Sequence, residues 1–315
     1  MSFLASRHGC PVTDLEALHG GFWSSAFAYR VHGRELVVRF GSIREGFEMD
    51  RMAMAFDRPD LPVPAVLEVG DVFGGAYAIS MRHHGRFLEN VRPEEASVVG
   101  PTIVRLLAAL RAIPVEDGVP VAWQPDGPAA ESTWRRWLSD SLLDDPRQVV
   151  SGWRATLAAD TGLDRLFTAC EARVRTLSDA CPERRDVLHG DLLNSNVLIS
   201  DDARHIAAVF SWKCSQRGDF LFDTAWCTFW GAFHPGIAAA DVFGGVLSDP
   251  SMAADAEALA QAPVRHHCYE LQIGASHLGW NAWVGDHDAL RSVATHTAMV
   301  LERGPLGPGV AGVGA

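Results

Sequence analysis

Between Leu15 and Met81 the chain breaks into short β-type runs, "LEALHGG", "SSAFAYRVHG", "RELVVRF", "AVLEVG" and "GGAYAISM", each bounded by glycine. Runs this short, with Gly20, Gly21, Gly33, Gly74 and Gly75 at the points of reversal, predict hairpins and therefore an antiparallel sheet. One segment departs from the pattern: "IREGFEMDRMAMAF" (residues 43–56) spaces Phe47, Met52, Met54 and Phe56 among charges and stops before Pro59, which predicts a single inserted helix. Past Gly85 the period changes. "PEEASVVGPTIVRLLAALRAI", "ESTWRRWLSDSLLDD" and "GLDRLFTACEARVRTLSDAC" carry apolar residues near helical spacing, and more helix is expected beyond Phe220. Two β-type runs, "SNVLIS" and "IAAVFSW", interrupt the helices with "DDAR" as the turn between them. The expected class is α+β, an N-terminal antiparallel sheet with one helix followed by a larger, mainly helical part. With 315 residues the chain is long enough for two lobes around a cleft, expected at 1–85 and 86–302, with a Gly/Pro-rich, disordered tail at 303–315.

Charge and cysteine content exclude several classes of function. The net charge is −12. Residues 1–90 carry 9 Arg against 11 Asp and Glu, leaving 18 basic against 28 acidic residues beyond, so the acidity belongs to the C-terminal part. Nucleic acid and anionic membrane both demand a basic face, and neither is expected as a partner. A cationic small molecule suits the balance better. Six scattered cysteines without a C-x-x-C pair fit neither a disulfide framework nor a zinc site. No apolar run reaches 18 residues and the N-terminus lacks signal-peptide character, so a cytoplasmic location is expected.

The chemistry concentrates in "VLHGDLLNSNVLISDDARHIAAVFSWKCSQRGDF" (residues 187–220). His189, Gly190, Asp191 and Asn196 form H-G-D-x-x-x-x-N directly before a β-type run. A carboxylate and an amide five residues apart on a loop entering a strand can face one cleft. The carboxylate takes a hydroxyl proton and the amide oxygen binds magnesium, the division of labour in kinase catalytic loops. His83-His84 and His266-His267 are not metal pairs on this reading, because adjacent side chains point apart.

With these motifs, HGDLLNSNVL, then VFSW (residues 209–212), then GDFLFDTA (residues 218–225), the chain resembles the aminoglycoside phosphotransferases, whose fold is protein-kinase-like. "VVRFGSIREGFEMDRMAMAF", "LPVPAVLEVGD", "AYAISMRHHG", "STWRRWL" and a Trp-rich helix after Asp223 are most similar to the hygromycin B branch. The resemblance implies a magnesium- and nucleotide-dependent kinase, using ATP or GTP, that phosphorylates a hydroxyl of a cationic aminoglycoside, confers resistance and works as a monomer or weak dimer. It implies Asp191 as catalytic base and Asn196 as magnesium ligand, with His189 and Asp223 supporting the catalytic loop. Arg39 in "VVRF" stands where the family places its phosphate-contacting cation, with Asp50 as ion-pair partner ahead of Glu48 and Glu45. Gly20, Gly21 and Ser24 match the loop that closes over the phosphates, and Ser80 and Met81 match the hinge beside the adenine. The N-terminal lobe would then bind nucleotide and the C-terminal lobe the acceptor, with Trp230 and Phe233 near the sugar.

One position departs from the pattern. Where the family has the aspartate of V-I-D-W, this chain has Ser211, a neutral hydroxyl in place of a magnesium-binding carboxylate. The expected consequence is either a weakened metal site or a homologue that binds without turnover. If 211–213 is extended, Ser211 and Lys213 leave one face and the chain's single lysine approaches the vacated position. Acidic candidates for meeting an amino sugar are Asp241, Asp249, Glu270, Asp286 and Asp288.

Overall fold

The computed structural model describes residues 2–18, 21–115 and 133–306. Gly20 and most of the tail expected to be disordered lie outside the described residues. The described residues divide into two compact units: one takes those up to Asn90 together with Asp191–Ser215, and the other takes the rest of the described residues. Each is described by itself.

The first unit opens with α1 (Ser2–His8), a helix the glycine-and-run pattern did not announce. Then follow β1 (Thr13–Leu18), β2 (Ser24–Val31), β3 (Arg34–Gly41), α2 (Arg44–Ala53), β4 (Val66–Val72) and β5 (Gly75–Met81). The strands form one antiparallel sheet in the order β1-β2-β3-β5-β4. Strand alternation assigns its two faces. Tyr77 and Ile79 of β5 join Tyr29, Val31, Leu36 and Val38 in a cluster with Leu4 of α1, whereas Ala76 and Ala78 meet Phe47 of α2. The sheet is thus covered by a helix on each side, and β5, flanked by β3 and β4, is buried from Ala76 to Ser80. β1 is an edge strand carrying Asp14 and Glu16, and its exposure fits a charged, unpaired border. A second sheet in this unit orders β6 (Arg86–Phe87), β8 (Val197–Ile199) and β9 (Ile206–Val209) as β6-β8-β9.

The second unit is helical: α3 (Ala96–Arg111), α4 (Trp134–Asp140), α5 (Trp153–Ala158), α6 (Thr161–Leu177), α7 (Leu221–Gly231), α8 (Pro235–Ala238), α9 (Val242–Ser248), α10 (Pro250–Ala253), α11 (Ala262–Val284) and α12 (His287–Arg303). A two-stranded ladder pairs β7 (Asp186–Leu188) with β10 (Gln216–Gly218). α11 is the axis of the unit, packed against α5, α6, α7 and α12. It is buried on nearly every side from Arg265 to Gly279, so it lacks the polar stripe of a surface helix. No helix among the described residues is long and apolar enough to cross a membrane.

Candidate active site

Asp191 begins the loop that enters β8. Asn194 and Ser195 both adopt left-handed backbone (φ 68° and 64°), and this double reversal turns the loop back on itself. As a result two amides converge on one carboxylate. Asn194 Nδ2 donates to Asp191 Oδ1 at 2.7 Å, and Asn196 Nδ2 donates to Asp191 Oδ2 at 2.8 Å. The Asn196 amide also donates to the carbonyls of Asp191 and Leu193 (2.8 and 3.1 Å), which turns its Oδ1 away from these contacts as the remaining acceptor. Ser195 is tied down separately, its N–H and its Oγ (3.0 Å) both donating to Glu89 Oε1. Sequence reasoning found Asp191 and Asn196 but missed Asn194, Ser195 and Glu89. Asn194 has a signal, since asparagine tolerates left-handed backbone, whereas Glu89 has none.

The residues just before Asp191 are braced within the second unit. Asp223, in the first turn of α7 and 1% exposed, accepts the N–H groups of His189 and Gly190, each at 2.8 Å. Burial pushes its carboxyl up to about 6, against these two donors, which favour the ionised form. His189 is itself fully buried. Close by in sequence, Asp219 is held by Arg265 at 2.8 and 2.6 Å and by the Tyr269 hydroxyl at 2.5 Å, an internal tie between the segment joining β10 to α7 and α11 that the sequence reading did not single out.

In the first unit, Arg39 on β3 pairs with Asp50 of α2, as expected. Glu48 instead pairs with Arg44 and Arg51. Asp50 lies on the buried face of α2 at 4% exposure, and its other oxygen accepts the Trp212 N–H at 2.7 Å. One carboxylate therefore fixes both the β3 cation and the chain directly after Ser211. Among the residues of the first turn, Gly21 is exposed and Ser24 opens β2 opposite Gly41. A Cβ on Gly41 would stand 2.8 Å from the Trp23 carbonyl, so glycine is required for that approach. Ser80 and Met81 close β5, where the Met81 N–H donates to Ala65 O (2.9 Å) and the next N–H, of Arg82, to Glu35 O (3.1 Å).

Ser211 is not extended. It takes left-handed backbone (φ 70°, ψ 56°), and Trp212–Cys214 form a 3-10 turn. The premise that would align Ser211 with Lys213 on one strand face is thereby overturned: two residues of a tight turn do not repeat direction. The Lys213 side chain instead runs along α2 at Gly46, its Cβ, Cγ and Cδ each 3.5 Å from where a Cβ on Gly46 would stand. Its Nζ lies 3.6 Å from the centroid of the Trp23 ring. Burial lowers the affinity of this amine for its proton, partly opposed by Cys214 and Glu45.

Magnesium, implied by the resemblance, finds a poor donor set in these residues. Asn196 Oδ1 and the Ser211 hydroxyl are both neutral, whereas a small dication selects carboxylates. No group of three or more His, Cys, Asp or Glu side chains suited to a metal occurs among the described residues. His83 Nδ1 is bonded with Ala207 O and His84 with Glu35, while His266 and His267 are buried in α11.

On α7 the aromatic side chains form a continuous group. Trp230 lies 6.1 Å from Trp226, 5.5 Å from Phe233 and 4.7 Å, edge-on, from His277. The indole nitrogens of Trp226 and Trp230 are both buried without a hydrogen-bond partner among the described residues, a cost that a bound polar molecule would remove. Phe233 is 37% exposed. The acidic candidates have local work. Asp241, Asp249 and Asp286 cap α9, α10 and α12, Asp288 pairs with Arg291, and buried Glu270 is held by Arg303, His266 and Thr228.

Comparison with known proteins places this arrangement. Residues 14–259 match the phosphotransferase enzyme family. The hygromycin-B 4-O-kinase of Escherichia coli is 31% identical over 222 residues, 70% of this chain and 63% of the relative, so the match spans less than two thirds of that protein's length. The crystal structure of aminoglycoside phosphotransferase APH(4)-Ia superimposes with a TM-score of 0.80 at 24% identity, covering 97% of this chain and 98% of that one. A thermostable mutant of it, in ternary complex with AMP-PNP and hygromycin B, gives 0.78 at 24% identity over 96% and 97%. These likenesses confirm the kinase-like fold that the resemblance to the aminoglycoside phosphotransferases implied. The chain belongs to the phosphotransferase enzyme family.

Proposed function

We propose that the protein transfers the γ-phosphoryl group of ATP or GTP to a hydroxyl of an aminoglycoside of the hygromycin B type. The observation that carries this reading is the Asp191 carboxylate, gripped by Asn194 and Asn196 on a loop whose stem is braced by Asp223. In the reaction Asp191 accepts the proton of the attacking hydroxyl, the oxygen bonds to the γ-phosphorus, and the bond from that phosphorus to the β,γ-bridging oxygen breaks, with the nucleoside diphosphate leaving. Positioning and charge supply most of the rate in such transfers. Arg39, aligned by Asp50, meets the phosphates. Gly21 and Ser24, with Gly20, close the loop over them, and the chain at Ser80–Met81 borders the base. Trp230 and Phe233 cover the acceptor sugar, and the unpartnered indole N–H of Trp230 gives it a polar contact.

Because the protein's own donors do not suit a resident magnesium, no step is assigned to one. Any magnesium enters as part of the nucleotide substrate. The protein acts as a monomer or weak dimer in the cytoplasm, and neither nucleic acid nor membrane is a partner.

The reading is tested by phosphate transfer from γ-labelled ATP and GTP to hygromycin B and a panel of aminoglycosides. Labelled hygromycin B is the expected product. Labelled nucleotide that is bound and never transferred to any member of the panel overturns the reading in favour of a binding protein.

A further inference from the structure

Lys213 is the chain's one lysine, and its ammonium has no carboxylate within ion-pair distance among the described residues. That is unusual company for a cation in a chain of net charge −12, where Arg39 pairs with Asp50 and Arg44 pairs with both Glu48 and Asp71. Its stem is not loose. Three of its carbons lie along α2 at Gly46, and Trp212, the residue before it, is fixed by the N–H bond to Asp50 and packs its ring 5.6 Å from Phe56. The charge is thereby delivered to Trp23, in the turn that leads into Ser24.

Two features of this placement point to an anion. An ammonium over an indole is held by a weak attraction, whereas a charge-assisted hydrogen bond to a phosphate oxygen is stronger and directional. A triphosphate arriving at this turn would therefore draw the ammonium off Trp23. The same short turn that presents Lys213 also presents Ser211, where the acidic metal ligand of the family pattern is missing. A neutral side chain at 211 and a cation two residues on, in one turn, leave this turn with net positive charge, which favours bare phosphate over metal-bound phosphate.

We propose that Lys213 is a phosphate-binding residue that takes over charge neutralisation at the nucleotide, so that the protein holds a nucleoside triphosphate without a protein-bound metal. This rests on the nucleotide-binding reading above. In the resting state the ammonium is parked on Trp23; in the bound state it bridges to the phosphates beside Arg39.

The test measures equilibrium affinity of the full chain for ATP with magnesium and with EDTA, and for adenosine, which has the base and no phosphates. Lys213→Met removes the charge and keeps a long stem at Gly46; Lys213→Arg keeps the charge. The expected result is that the parent binds ATP in EDTA within several-fold of its affinity in magnesium. Lys213→Met should weaken ATP binding in EDTA at least ten-fold, leave adenosine unchanged and melt near the parent's temperature, and Lys213→Arg should recover most of the loss. Equal affinity of parent and Lys213→Met for ATP in EDTA overturns the proposal, as does a parent that binds ATP only with magnesium. Parallel weakening of ATP and adenosine overturns it too, because it marks a structural role. Failure of transfer to hygromycin B, with Lys213-dependent ATP binding intact, defeats the acceptor assignment of the previous section and leaves this one standing.

Discussion

Ser211 sits in a backbone conformation that suits aspartate better than serine. Left-handed φ is several-fold enriched for Asn and Asp, so a carboxylate there brings no new strain. Ser211→Asp is therefore expected to fold as the parent does. It should restore an acidic donor, raise the affinity for magnesium-ATP relative to ATP in EDTA by ten-fold or more, and so convert a metal-tolerant nucleotide site into a metal-requiring one. Binding titrations in the two buffers check this, and an unchanged ratio would show that the 211 side chain does not reach the phosphates. At Asp191 the expected effect is on rate. Asp191→Asn keeps the shape and one of the two accepted amide hydrogen bonds but cannot accept a proton, and general-base removal costs about 10²–10⁴-fold. Turnover should fall by that order while ATP affinity moves less than three-fold, as read by single-turnover transfer beside equilibrium binding. The motif made both residues legible, because H-G-D-x-x-x-x-N and the serine are facts of sequence. What stayed illegible was where Lys213 points. That depends on one left-handed residue, and serine gives no warning of it.

Among the elements, α2 shows why sequence alone reached part of the site. Its apolar spacing and the stop before Pro59 predicted the helix, and the buried position of a charged residue on it is the mark of a working ion pair. The family resemblance named Asp50 as partner of Arg39 but gave no hint of the bond to Trp212 N–H, since that joins positions 162 residues apart. Asp50→Ala strands the Arg39 guanidinium and this N–H together. Breaking a buried pair from one side costs about 3–5 kcal/mol, so a matching loss of unfolding free energy is expected in urea titrations, along with weakened ATP binding. The strands of the first sheet were equally legible, because glycine punctuation and period-2 runs are local. α1 was not, being a short helix stabilised by Leu4 and Phe3 packing on the sheet. Where β7 leads into the catalytic loop, Asp223 gives a pH effect. Its carboxyl titrates at about 6 in the fold against 3.8 ordinarily. Below about pH 6 protonation turns an acceptor oxygen into a donor, and the brace on His189 and Gly190 N–H weakens. Turnover is expected to decline as pH falls through about 6, ahead of any loss of fold by this group, because a raised carboxyl pKa favours the folded state as pH drops between 6 and 3.8. A pH–rate profile run beside circular dichroism separates the two.

For the molecule as a whole, stability in acid is set by buried groups with opposite signs. His267 of α11 is fully buried, both ring nitrogens lack a hydrogen-bond partner among the described residues, and burial lowers its pKa to about 4. Between pH 6.5 and 4 the unfolded chain binds a proton there that the folded chain refuses, so stability falls with pH, by on the order of 3 kcal/mol across the window. His277 acts in the same direction, its pKa also lowered to about 4 by burial, while Asp223 opposes both. Burial lowers the pKa of His296 as well, so the losses outnumber the gain and predict a net decline on acidification, largest below pH 6. His267→Leu removes one loss and with it two buried nitrogens that nothing satisfies. This variant should be at least as stable as the parent at pH 7.5. At pH 5 it should exceed the parent by about 2 kcal/mol, the share of the His267 contribution already spent at that pH. Urea unfolding at both pH values decides it: equal pH slopes for parent and variant would mean that His267 finds a proton-accepting partner in the folded chain, and that the acid sensitivity of α11 lies elsewhere along its buried length.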